Sequence, residues 1–215
     1  MREFAKGVFG VLIIGALSFM PVPGYTALVD YGNGLIYDTG LNITWYDTSD
    51  HTQRNLADAK AWAAALNVGG VNGWRLPSTP DEPFLWTYDG NGSVGFNITT
   101  SEMGHLFYEE LGNKGAYTKE GIPQSGYGLV YFGPFINLQA HSYISGTLQT
   151  PLNIDTWYFD FSNGQQDGTP KGSLNHYALA VHDGNVGAPV PIPAGVWLLG
   201  SGLVGLVGLR KKFQR

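Results

Sequence analysis

The chain has no cysteine. That absence removes disulfides, thiolate metal sites, thioether haem attachment and cysteine nucleophiles together. Charge is also sparse, at 13% of residues. Positive charge is sparsest in the middle, where residues 28–187 carry 6 basic against 16 acidic side chains, a net −10. Such a surface repels polyanions, so a nucleic-acid partner is excluded. The spacings that carry metal or nucleophile chemistry are missing as well. His51, His105, His141, His176 and His182 form no His-Glu-x-x-His or His-x-Glu-x-His set, and Ser125 lies in Pro-Gln-Ser-Gly, not Gly-x-Ser-x-Gly. Asp89-Gly90-Asn91-Gly92-Ser93 places oxygen ligands at alternate positions, but Val94 and Thr100 stand where an EF-hand needs Gly and Glu. No catalytic residue and no metal ligand is assigned, and calcium in an irregular Asp89 loop is the one cofactor left open.

What is present is uneven along the chain. Near the start, Arg2 and Lys6 precede an apolar run from Val8 to Met20 and then Pro21 and Pro23. This is the layout of a signal peptide over residues 1–27, cut after Ala27. At the other end, Ala194 to Leu209 carries no charge, and Arg210, Lys211, Lys212 and Arg215 follow at once. Sixteen residues make a helix of roughly 24 Å, a minimal transmembrane helix over 194–209 against a hydrocarbon core of ~30 Å. The basic cluster would stay cytoplasmic. The segment is either an anchor or a removable address label.

Between these ends the pattern predicts α+β. Gly32-Asn33-Gly34 and Asp38-Thr39-Gly40 mark two turns between short strands. Asn55 caps a helix whose Leu56, Ala59, Trp62, Ala63 and Leu66 share a face, stopped by Gly69 and Gly70. A short strand is expected at Trp74-Arg75-Leu76, ending at Pro77. Thr99 with Glu102 reads as a capping box opening a second helix, with Met103, Leu106, Phe107 and Leu111 inward. On that helix His105 and Glu109 lie one turn apart and are expected to pair. Later strands are expected at GLVYFG, HSYISGT, TWYFDF and HYALAVHDG, with a hairpin turn at Asn163-Gly164.

Two resemblances add to this reading. The tail, through Val190, Pro191, Pro193, Ala194, the apolar run and Arg210, Lys211 and Lys212, resembles the PEP-CTERM sorting signals of Gram-negative bacteria in their Val-Pro-x-Pro-Ala variant. That resemblance implies an exosortase as processing partner. It also implies an exported protein, held in the inner membrane before processing and then released to the cell surface or extracellular matrix. The middle, through YDTGLNITW, GWRLPS, SEMGHLFYEELG and WYFDFSNGQQ, resembles the Lcl C-terminal-like family, which implies a C-type-lectin-like domain over 28–187. The sorting signal then occupies 188–215.

Candidate sites follow from residue chemistry. Trp74, Arg75, Leu76 and Pro77 are structural candidates, because a guanidinium between apolar neighbours needs a buried partner. Trp86, Tyr88, Asp89 and Asn91 are the ligand-binding candidates, with aromatic rings in a loop beside a carboxylate. The expected function is non-enzymatic binding of polysaccharide or an envelope protein. The rivals are an envelope enzyme acting on polysaccharide, using Glu109, Glu110 or Asp160 as acid and base, and a purely structural matrix protein.

Overall fold

Turn chemistry sets the first sheet. Gly32, Asn33 and Gly34 all have positive φ, at 77°, 53° and 76°, and they reverse the chain between β1 (Leu28–Asp30) and β2 (Leu35–Asp38). The Asp38 carboxylate accepts the N–H groups of Gly40 and Leu41, which closes the next turn into β3 (Ile43–Tyr46). The last strand, β9 (Ala180–Asp183), joins antiparallel to β3, giving the order β1-β2-β3-β9. The computed structural model describes residues 27–188.

The second sheet runs β4-β5-β8-β7-β6. Its long strands are β6 (Ser142–Leu148), β7 (Asp155–Asp160) and β8 (Gln165–Pro170), antiparallel throughout. At its edge lie two-residue strands, β4 (Trp86–Thr87) and β5 (Val94–Gly95), paired in parallel. The Asn163-Gly164 turn closes β7 on β8, with Asp160 accepting from Ser162 and Asn163.

Helix α1 (Leu56–Ala65) starts where Asn55 accepts the Asp58 N–H, and it buries Leu56, Ala59 and Ala63. It stops at Leu66, before Gly69 and Gly70, which instead form a separate turn between Val68 and Val71. Helix α2 (Glu102–His105) is capped by Ser101, which accepts from Gly104 N. Thr99 takes no part in that cap, because the Glu102 N–H donates to Ser78 O, and the Glu102 carboxylate is drawn to Arg75 and to the Ser78 N–H. The helix then widens into a π-helical turn, Leu106–Glu110. One core joins both sheets to this helix through Trp45, Leu106, Phe107, Phe159, Phe161 and Val181.

Two expected strands are absent. Trp74-Arg75-Leu76 contributes one bridge, Arg75 to Val181, and no strand. GLVYFG forms no strand: Gly128 makes one bridge to Lys114, Leu129 packs against the core, and Val130 to Gly133 are exposed. Its ladder is replaced by one buried side chain: Asn113 Oδ1 accepts from Val130 N and Tyr131 N, and its Nδ2 donates to Tyr131 O.

The expectation of a transmembrane helix also needs correction. Among the described residues no helix is long and apolar enough to cross a membrane. The longest, α1, has 10 residues and carries Asp58 and Lys60. At 1.5 Å per residue that is about 15 Å, half of a hydrocarbon core. The stretch on which the span was expected, 194–209, lies outside the described residues, as do residues 1–26 and the motif Val190, Pro191, Pro193, Ala194, Arg210, Lys211 and Lys212. The fold is therefore a small α+β domain with two helices and mixed strands.

His176 gives this fold a pH dependence. The ring is 3% exposed, with Nδ1 3.0 Å from Ser142 Oγ and Nε2 3.3 Å from Thr169 Oγ1. Burial pushes the imidazole below its ordinary value, and His141 nearby adds to the shift while Asp160 opposes it. The unfolded chain takes the proton near pH 6.5 and the folded chain resists it. Stability from this group is therefore full above about pH 6.5 and is lost as pH falls below it. The melting midpoint should be lower at pH 5 than at pH 7, and His176→Asn should flatten that slope.

Candidate functional site

The ligand candidates sit on the β4–β5 edge. Trp86 is 51% exposed, yet its ring is held edge-on to Tyr88 at 5.8 Å and to Phe96 at 6.2 Å. Tyr88 stacks parallel on Phe96 and leans on Tyr117. This backing costs the indole little of its open surface. Trp86 therefore presents a pre-placed aromatic face, with little ordering left to do on binding.

The loop that follows is tied internally. Asp89 Oδ1 accepts from Thr87 Oγ1 at 2.5 Å and from Asn91 N at 2.9 Å, and Oδ2 accepts from Asn91 Nδ2 at 3.0 Å. These donors, Thr87 first, hold the Asp89 carboxyl below the usual range. Its base is fixed by Asn97, which has φ 59° and donates from Nδ2 to Tyr88 O and Tyr117 O.

Two adjoining grooves result. One, of about 430 Å³, is lined by Trp86, Tyr88, Asp89, Asn91, Lys119 and Glu120, among others. The other, of about 350 Å³, shares Asp89, Asn91 and Lys119 and adds Tyr108 and Glu109. Tyr108 is committed to the fold, since its hydroxyl donates to Gly164 O at 2.6 Å and burial pushes it up to about 12. The rim thus carries the carboxylates of Asp89, Glu109 and Glu120 against the single ammonium of Lys119, which makes no salt bridge among the described residues. Sequence reasoning missed Lys119 and Glu120 because they come from a turn about thirty residues further on, closed by Thr118 and Ile122.

Arg75 works elsewhere. Its Nη1 and Nη2 fork onto Glu102 at 2.9 and 2.7 Å, and Nη2 and Nε reach Asp183 Oδ1 at 2.6 and 3.0 Å. Those partners, Glu102 first, hold the guanidinium in its charged form. Trp74 and Leu76 are buried on either side, and Pro77 O accepts from Gly146 N and Ser145 Oγ. The cluster locks α2 to β9 and leaves no donor aimed into an open cleft.

The carboxylates weighed for acid–base work have separate settings. Asp160 is taken up by its turn, Glu109 is exposed, and Glu110 is buried beside His105. The expected His105–Glu109 pair is replaced by His105–Glu110 at 3.1 Å, because the π-helical turn inserts one residue into the helical spacing. Among the described residues, Asp38, His105 and Glu110 are the group whose ligand atoms converge closely enough for a metal ion, and the Asp89 loop contributes to no such group.

No protein-family model, curated protein or solved structure matches the chain. The functional picture drawn from the two resemblances is corrected accordingly. Export, exosortase processing, a lectin-like glycan-binding role, inner-membrane anchoring and delivery to the surface or matrix have no support from a family match. The sorting-motif residues lie outside the described residues, whereas the segments behind the lectin-like expectation lie within them. What the domain does is read from the grooves alone.

Proposed function

We propose that this is a non-enzymatic recognition domain whose β4–β5 edge takes a ligand presenting an ammonium or guanidinium group beside apolar surface. One observation carries the reading: a half-exposed indole, fixed by Tyr88 and Phe96, stands beside a rim with three carboxylates and one lysine. A cation over an indole face gains about 0.5–2 kcal/mol. The net −10 of residues 28–187 draws cations toward that face. Catalysis fits the same residues less well. Glycoside chemistry needs one carboxyl kept protonated by its surroundings, whereas Asp89 is pushed the other way and Glu109 stands in water.

The test is a calorimetric titration with N-acetyl-arginine amide and its neutral ureido isostere, N-acetyl-citrulline amide. The arginine ligand should bind at least tenfold more tightly, and more weakly as salt rises. Trp86→Ala should weaken it about tenfold, the equivalent of ~1.4 kcal/mol. Lys119→Ala should tighten it a few-fold, because the competing ammonium is gone. Equal binding of arginine and citrulline, or indifference to Trp86→Ala, would remove the proposal.

A further inference from the structure

Asp38, His105 and Glu110 meet beside the β2–β3 turn, and none of the three is among the residues named as lining the two grooves. Asp38 is fully buried at the end of β2. Its Oδ1 accepts from Gly40 N at 3.0 Å and Leu41 N at 2.9 Å, and its Oδ2 lies 3.3 Å from Trp45 Nε1. The Glu110 side chain is 1% exposed, and its Oε1 lies 3.1 Å from His105 Nε2. Its second oxygen, Oε2, is buried with no hydrogen-bond partner. One ligand atom from each of the three residues lies within 4.8 Å of the others.

This arrangement is costly as it stands. A buried carboxylate oxygen without a donor forfeits its hydration and receives nothing back. A second buried carboxylate close by compounds the cost. One divalent cation removes both penalties, since two carboxylates and a neutral imidazole balance its charge. The Asp38 carboxylate is already oriented by the turn amides and the indole, as the outer contacts of a metal ligand orient it. The donor set also selects the ion. One imidazole nitrogen and two carboxylate oxygens suit a zinc-class dication in four-coordinate geometry, with water in the remaining place. Calcium would require six to eight oxygens. His105, 17% exposed at its side chain, is the member of the cluster in contact with solvent.

We propose that Asp38, His105 and Glu110 bind one zinc-class divalent ion per chain. The π-helical turn is what builds the site. In regular α-helical spacing the exposed Glu109, not Glu110, would be the residue one turn from His105. This inference is independent of the groove and its ligand.

The test uses the full chain, stripped with chelator and dialysed, then titrated with zinc and with calcium by calorimetry and thermal melting. Zinc should bind one to one. At a hundredfold excess over its Kd it should raise the melting midpoint by about 8 °C. Cobalt should give the visible absorption of a tetrahedral site. Glu110→Gln keeps the shape of the side chain and should lose the zinc shift while its metal-free melt stays close to the parent's. His105→Gln should lose it too, and it carries the test if Glu110→Gln does not fold. The proposal is overturned if zinc leaves the parent's melt unchanged. It is equally overturned if calcium acts and zinc does not, or if both variants keep the shift and so place the ion on other histidines.

Discussion

Arg75→Ala is expected to cost about 3 kcal/mol, which for a domain of this size lowers the melting midpoint by roughly 6–12 °C. The loss lies in what remains behind. Glu102 is the main partner, 14% exposed at its side chain, and its carboxylate is gripped by both Nη atoms. Without Arg75, only the Ser78 N–H still reaches it. Asp183, at 76% exposed, returns to water with little penalty. The Arg75 side chain is itself 37% exposed, so the figure sits at the low end of the range for breaking a buried pair. Arg75→Lys should recover no more than about half, because an ammonium cannot fork onto one carboxylate and reach a second. The decisive measurement is a double-mutant cycle. Adding Glu102→Gln to Arg75→Ala should return about 2 kcal/mol of what the single change removed. Additive losses would mean that the pair is not coupled and that Arg75 acts through its aliphatic stem alone.

The hairpins of the first sheet were legible because single residues dictate them. Gly32-Asn33-Gly34 admits positive φ at three successive positions, and Asp38 closes the next turn with its own side chain. Helix α1 was legible from Asn55 and the spacing of its buried face. What escaped depends on contacts distant in sequence. GLVYFG is a β-prone apolar run between glycines, yet Asn113 satisfies its Val130 and Tyr131 amides and removes the need for a neighbour. The parallel β4–β5 pair is two residues per strand, too short for any period to register.

The candidate sites divide the same way. Trp86, Tyr88, Asp89 and Asn91 are close in sequence, so local reasoning brings them together. Lys119, Glu120 and Glu109 reach the same surface only through the fold. His105 drew attention, but with the wrong carboxylate. A regular helix offers Glu109, and nothing in LFYEE announces the π-helical turn that substitutes Glu110. Asp38, 67 residues before His105, carries no local sign of joining it.

Gly95→Ala should be at least as damaging as Arg75→Ala, and its damage should be local to the groove. Gly95 has φ +122°, where a Cβ is strained, and that Cβ would lie 2.0 Å from Thr87 O. Both obstacles are backbone, so no side chain can swing aside. Thr87 O also accepts the Phe96 N–H at 3.0 Å, the bond that fastens β4 to its neighbour. The added methyl must push β4 away, break that bond and pull Trp86 off its edge contact with Phe96. A loss of about 3 kcal/mol or more is expected. Two glycines separate the causes. Gly69→Ala meets only the strain, since φ is +60° and nothing lies within 4 Å, and should cost about 1 kcal/mol. Gly172→Ala meets neither obstacle and should be near neutral. Amide exchange read residue by residue distinguishes the outcomes. In Gly95→Ala the amides of Ser93, Val94 and Phe96 should lose protection before those of β6 and β7, and arginine binding should vanish with them. If protection falls evenly across both sheets, β4 and β5 are part of the core's cooperative unit, and the ligand face is as rigid as the fold beneath it.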